Sequence, residues 1–174
     1  MQVLDKEFEL FMRESELQQV VKEFAQKLDE AYSNKDLIIV AILNGSFIFV
    51  SDLIRYMKID PEIVFMKYRS YEGIKSGEIQ AELELDQDIE DRHVLILEDI
   101  VDTGKTIIRI AQDLQEHEPA SLNYGTLFVK PDTYNSEVKL KFVGKELPSD
   151  FVIGYGMDYC GKGRGLRELY RLKG

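Results

Sequence analysis

The chain has 174 residues, 44 % hydrophobic and 31 % charged, which fits one globular domain able to bury a core. Its formal net charge of −10 argues against a general nucleic-acid binder, because such proteins gain affinity from a basic face that neutralises phosphates. No apolar run approaches the ~20 residues that span a bilayer. The first residues lack the basic start and long apolar stretch of a secretory signal, and Cys160 has no second cysteine to pair with. A soluble cytoplasmic protein without membrane or nucleic-acid partners is therefore expected.

Residues 15–32 carry Leu17, Val20, Val21, Phe24, Leu28 and Ala31 at the spacing of one helical face, with Ser15 as the expected N-cap. Leu37–Leu43 is a continuous apolar run of the kind that forms a strand buried on both faces. Asn44, Gly45 and Ser46 break it, Phe47–Met57 reads as a helix, and Glu62–Lys67 after Pro61 as the next strand. Residues 68–91 are polar, hold two glycines and show weak alternation, so a long mobile excursion with a short hairpin is expected. His93–Leu97 is a second strong buried-strand signal; a helix with Ile107, Ile110, Ala111 and Leu114 on one face follows, then a strand over Leu122–Val129. Phe151–Tyr155 is the last clear strand before a glycine-rich tail. Alternating strands and helices indicate an α/β domain with a mainly parallel sheet, whose ligands bind beyond the carboxyl ends of the strands. The unusual motifs fall at such ends: Asn44-Gly45, Glu98–Thr106, Lys130 and Asp158.

Asp102-Thr103-Gly104-Lys105-Thr106 joins a strand to a helix, and the unpaired first amides of a helix, with its dipole, make an anion site. A nucleotide P-loop would require glycine five positions before Gly104; Asp99 stands there beside Glu98, and two carboxylates would repel a β-phosphate. The same pair suits a sugar polyphosphate, since magnesium takes few carboxylates plus substrate oxygens and water. Read alone, Glu98-Asp99 can also cap the loop, Asp102 can N-cap the helix, and Phe151 can be ordinary core. Cys160 reads as an inert thiol despite nearby Lys162 and Arg164, and His93 and His117 as structural or exposed, with no metal cluster to join.

The segment VLILEDIVDTGKT resembles the phosphoribosyl-pyrophosphate motif of the type I phosphoribosyltransferases, in the form of their hypoxanthine-guanine branch. Leu43–Phe47, Ser70-Tyr71, Leu127–Lys130 and Phe142 through Arg164 follow the family order, so the resemblance covers roughly residues 37–167. It implies a single domain over 1–174: a mainly parallel sheet flanked by helices, a flexible lid about 68–86, and a C-terminal hood about 142–174 within a small hood subdomain from the termini. It implies transfer of the 5-phosphoribosyl group from phosphoribosyl pyrophosphate to hypoxanthine or guanine, with Mg2+, in a homodimer or homotetramer. Asp102 would assist purine proton transfer. Glu98, Asp99, Asp102, Thr103, Gly104, Lys105 and Thr106 would bind ribose and its 5-phosphate. Lys130 would donate to O6, with Phe151, Val152 and Asp158 also on the purine side. Asn44, Gly45, Ser70, Tyr71 and Arg164 would bind pyrophosphate, and Glu98, Asp99 and Asp158 would ligate the metal.

Two departures from the family pattern stand out. Asn44 replaces the usual lysine before Gly45, so binding there passes to the backbone, and Tyr159–Gly165 carries extra glycines around Arg164, with Arg167 a nearby substitute. Two further readings are a xanthine-preferring relative and a non-catalytic regulator that keeps the fold.

Overall fold

A computed structural model describes residues 1–70 and 79–174; of residues 69, 70, 79 and 80 it describes the backbone alone. The elements in chain order are β1 (Gln2–Val3), β2 (Lys6–Met12), α1 (Glu14–Tyr32), β3 (Leu37–Leu43), α2 (Phe47–Tyr56), β4 (Glu62–Ser70) and β5 (Ile79–Leu83). They continue with β6 (His93–Val101), α3 (Lys105–Gln115), β7 (Ser121–Val129), β8 (Phe142–Glu146), β9 (Val152–Ile153) and β10 (Leu169–Leu172). Among the described residues the strands form two sheets.

The larger sheet has the order β5-β4-β3-β6-β7-β8 and is parallel except for β5, which pairs antiparallel with β4. The chain leaves β3 toward β4 on one side and returns through β6 on the other. The carboxyl ends of β3 and β6 therefore flank a crevice, the ordinary ligand position in such sheets. Leu37–Ile42 is buried throughout because helices cover both faces of β3. Its alternate residues feed two cores: Ile39 and Ala41 join Leu95, Leu97, Phe24 and Phe49 on the side of α1 and α2, whereas Ile38 and Val40 join Val94, Ile96, Ile110 and Leu114 on the side of α3. Helix α1 buries Leu17, Val21, Phe24, Ala25, Leu28 and Tyr32, each large apolar side chain contributing about 1.5–3 kcal/mol.

The smaller sheet, β1-β2-β10-β9, is antiparallel and built from both ends of the chain, forming the hood. The expected Phe151–Tyr155 strand is shorter and belongs here: only Val152–Ile153 is strand, since Gly154, Tyr155 and Gly156 turn left-handed at φ 104°, 49° and 105°. The C-terminal hood contribution starts there and not near residue 142, because Phe142–Glu146 pairs with β7 as the edge of the main sheet.

Helix α1 begins one residue before the expected cap: Arg13 occupies the cap, and its amide donates to the Glu16 carboxylate at 3.0 Å. The excursion expected over 68–91 keeps strand pairing at its roots, Lys67 to Ser70 against Ile79 to Leu83. Tyr68 and Leu85 pack on the second core and Ile89 is fully buried, apolar anchoring that the weak alternation concealed. Tyr71 lies outside the described residues, as does the tip of the expected lid. No helix among the described residues is long and apolar enough to cross a membrane.

Candidate active site

Strand β6 is longer than its apolar run, so Glu98, Asp99, Ile100 and Val101 extend it to the crevice before the chain turns into α3. Successive strand residues point to opposite faces. Leu95 and Leu97 face the α1–α2 core, so Asp99 follows them to that side, whereas Glu98 points with Val94 and Ile96 toward α3. A cavity of about 260 Å³ opens at the strand ends, lined by Gly45, Asp99, Ile100, Asp102, Lys130, Phe151, Val152, Met157, Asp158 and Arg164. Eight of these ten were expected from the sequence. Ile100 and Met157 were not, because an apolar residue beside a motif reads as core until its surroundings are known.

The walls come from four places in the chain. Lys130 directly follows β7; the residue is 7 % exposed and its ammonium lies 3.4 Å from Asp102 Oδ2. Asp102 does not cap α3: the cap residue is Gly104, with no side-chain cap bond, and the Asp102 carboxylate turns to Lys130 instead. Phe151 is 43 % exposed at the mouth and packs edge-on against Tyr159, so the core reading of Phe151 is corrected. Arg164 donates to the Gly156 carbonyl at 2.6 Å and pairs with Asp158 at 2.6 Å. Arg167 is directed away, largely exposed and 3.5 Å from Glu14.

Gly45 sits at the floor of the crevice after a cis Leu43–Asn44 peptide. A Cβ on Gly45 would lie 1.9 Å from Asp99 Oδ2, and one on Gly156 would lie 2.0 Å from the Gly45 carbonyl oxygen. Both glycines are needed for this close approach of three segments. The cradle stands beside the cavity. Gly104 adopts φ 81°, and the Ile108 amide closes the first turn of α3 on the Gly104 carbonyl at 3.2 Å. The amides of Lys105, Thr106 and Ile107 precede that bond and have no intrahelical acceptor. Thr103 is exposed and Thr106 half-exposed at the same turn. Asn44 is not among the cavity-lining residues.

Electrostatics mark the two adjacent carboxyls. Burial, with the neighbouring Asp99 charge, pushes the Glu98 carboxyl up to about 8. Burial likewise pushes Asp99 up to about 6, against the lowering effect of its own amide, the Ile100 amide and Arg164. Glu98 Oε1 is buried without a hydrogen-bond partner. Asp99 and Asp158 bring carboxyls into the cavity that fit a divalent cation, whereas Glu98 faces α3 and is not among the cavity-lining residues. No group of three or more His, Cys, Asp or Glu side chains converges among the described residues, so such an ion would complete its shell from substrate oxygens and water.

Comparisons with known proteins agree with this geometry. A family profile described as phosphoribosyl transferase domain matches residues 13–160. A hypoxanthine-guanine phosphoribosyltransferase of Staphylococcus aureus is 40 % identical over 165 residues, 94 % of this chain and 88 % of that protein. A Staphylococcus epidermidis protein of the same description is 38 % identical over 164 residues, 93 % and 88 % of the two chains. Among solved structures, a Bacillus anthracis hypoxanthine-guanine phosphoribosyltransferase is similar at TM-score 0.90 and 30 % identity, with 97 % and 100 % of the chains covered. A Staphylococcus aureus hypoxanthine phosphoribosyltransferase is similar at TM-score 0.89 and 38 % identity, with 95 % and 91 % covered. The crevice between β3 and β6, its cradle and these likenesses place the chain in the phosphoribosyl transferase family.

Proposed function

We propose that this chain is a purine-salvage enzyme that transfers the 5-phosphoribosyl group of phosphoribosyl pyrophosphate to hypoxanthine or guanine, giving IMP or GMP and pyrophosphate. The observation that carries the reading is the single cavity in which Asp99, Asp102, Lys130, Phe151, Val152 and Arg164 converge beside the α3 cradle. In the reaction the ribose C1–oxygen bond to pyrophosphate breaks, a purine nitrogen bonds to C1, and the purine gives up its ring proton. The α3 amides, with the Thr103 and Thr106 hydroxyls, grip the 5-phosphate. Glu98 and Asp99 hold the ribose hydroxyls, and Asp102 receives the purine proton. Lys130 donates to O6 while Phe151 and Val152 support the base, and Arg164 with the Gly45 amide binds pyrophosphate.

Glu98, Asp99 and Asp158 are the carboxylates that would hold Mg2+, which supplies charge neutralisation of the pyrophosphate leaving group. Water exclusion from a cationic ribose centre falls to the expected lid about 68–86, where Ser70 and Tyr71 would cover the pyrophosphate. The working form is a homodimer or homotetramer, as in the resemblance set out above. Purified protein incubated with magnesium, phosphoribosyl pyrophosphate and an equimolar mixture of hypoxanthine, guanine and xanthine tests the proposal. IMP and GMP are expected to dominate; XMP in excess would move the substrate to xanthine, and no nucleotide at all would overturn the enzyme reading.

A further inference from the structure

The pyrophosphate side of the cavity is assembled from two segments far apart in the chain. Arg164 and Gly156 lie in the hood segment after β9, where residues 154–156 all turn left-handed and cannot continue the strand. Gly45 lies in the other layer, between β3 and α2. The two layers meet where Gly156 presses on the Gly45 carbonyl, a contact that a single Cβ would abolish. Something must hold the hood segment at that distance.

The residue between Gly154 and Gly156 is Tyr155, 3 % exposed. Its hydroxyl donates to Asp52 Oδ2 at 2.7 Å, across the domain onto α2, the helix that begins directly after Gly45-Ser46. Gln18 of α1 donates to the same oxygen at 2.7 Å, and the Tyr56 hydroxyl donates to Gln18 Oε1 at 3.0 Å. Burial and the Asp52 charge raise the Tyr155 pKa, so the phenol remains a donor under working conditions. On the other side of Tyr155 its amide donates to the Leu166 carbonyl at 2.8 Å, and the Gly156 amide donates to the Arg164 carbonyl at 2.9 Å. One buried phenol thus ties α2, and with it the Gly45 loop, to the strand of chain that carries Arg164.

We propose that the Tyr155–Asp52 hydrogen bond is a positioning device that sets the separation of the Gly45 amide and Arg164, and so tunes the grip on pyrophosphate independently of the 5-phosphate cradle. The α3 cradle and Lys130 belong to elements that this bond does not touch, and Val152 is held by its own pairing with Arg171 of β10, so a loosened anchor should cost pyrophosphate affinity and spare nucleotide affinity. The inference rests on the enzyme reading for the identity of the anion.

The test compares the wild type with Tyr155→Phe, Asp52→Ala and Asp52→Asn by calorimetric titration of pyrophosphate and of GMP, each with magnesium, beside steady-state rates with phosphoribosyl pyrophosphate varied. Tyr155→Phe and Asp52→Ala are expected to weaken pyrophosphate about fivefold to tenfold and raise KM for phosphoribosyl pyrophosphate, with GMP affinity within about twofold. Asp52→Asn keeps an acceptor oxygen and is expected to recover to within about twofold of wild type. Equal weakening of both ligands, no weakening of pyrophosphate, or an Asp52→Asn variant as impaired as Asp52→Ala would each overturn the proposal. Should Tyr155→Phe fail to fold, the two Asp52 variants decide by the same comparison; loss of folding in all three makes the contact structural and overturns it as well. A wild type that binds both ligands yet forms no nucleotide defeats the enzyme reading alone, and the anchor is still judged by the two affinities.

Discussion

Lys130 holds its ammonium 3.4 Å from Asp102 Oδ2 with almost none of its side chain exposed, while the Asp102 side chain remains about half exposed to the cavity. The ammonium fixes a reachable carboxylate at the cavity, where a proton acceptor for the purine is needed. Asp102→Asn keeps the shape and the contact to Lys130 but removes the basic oxygen. Its kcat is expected to fall by about 10²–10⁴ with KM for the purine within about threefold, measured by steady-state kinetics at saturating phosphoribosyl pyrophosphate. A variant with unchanged kcat would remove Asp102 from the chemistry. Both residues were legible in the sequence from the resemblance and from their places at strand ends. Their contact was not, because 28 residues separate them and only the parallel pairing of β6 with β7 brings the two ends together.

At the scale of elements, the turn from β3 into α2 is set by space more than by side-chain chemistry. Gly45 lies between the Asp99 carboxylate at the end of β6 and the hood segment at Gly156, with no room for a methyl group on either glycine. Gly45→Ala must displace Asp99, the carboxyl assigned to ribose and metal. A shift of that kind at a reacting site costs roughly 10²-fold in kcat/KM for phosphoribosyl pyrophosphate. Circular dichroism should remain that of the wild type, because Leu37–Leu43 and Phe47–Tyr56 keep their buried faces. Activity within a few-fold of wild type would show that Asp99 can move freely. The strand, the break and the helix around Gly45 were each legible from an apolar run interrupted by Asn44-Gly45-Ser46. The demand for glycine at position 45 was visible only once Asp99 of β6 was seen to lie against the loop.

For the whole molecule the two raised carboxyls fix a sign for the pH dependence of stability. In the unfolded chain Glu98 ionises near 4.5, whereas in the fold it keeps its proton to about 8. Asp99 moves from 3.8 to about 6. Between these values the folded state binds more protons than the unfolded state, so this contribution is fully present below the unfolded values and is lost as pH rises toward 8. At about 1.4 kcal/mol per pH unit, the loss amounts to about 5 kcal/mol for Glu98 and about 3 kcal/mol for Asp99. Glu98→Gln should therefore flatten the decline in denaturant-unfolding free energy between pH 5 and pH 8.5 relative to the wild type. An equally steep decline in the variant would mean that Glu98 ionises freely in the fold. A net charge of −10 acts in the same direction by self-repulsion, which is why the difference between the two proteins, and not the slope of either, is the informative quantity.

Local chemistry accounts for much of what was read without coordinates. The apolar run at Leu37–Leu43, the helical periodicity of α1 and the strand–turn–helix around Asp102–Thr106 depend on backbone preference and burial over a few residues, and their bounds agree closely with the fold. The cradle is of this kind, since a helix N-terminus presents its free amides whatever surrounds it. Contacts between distant segments had no local signal. The hood assembled from both ends of the chain, the placement of Phe142–Glu146 at the edge of the main sheet, and the Tyr155–Asp52 bond all arise from the packing of one layer on another. Short strands of two to seven residues bury too little by themselves to impose a pattern, and their place in the fold comes from the partners they find.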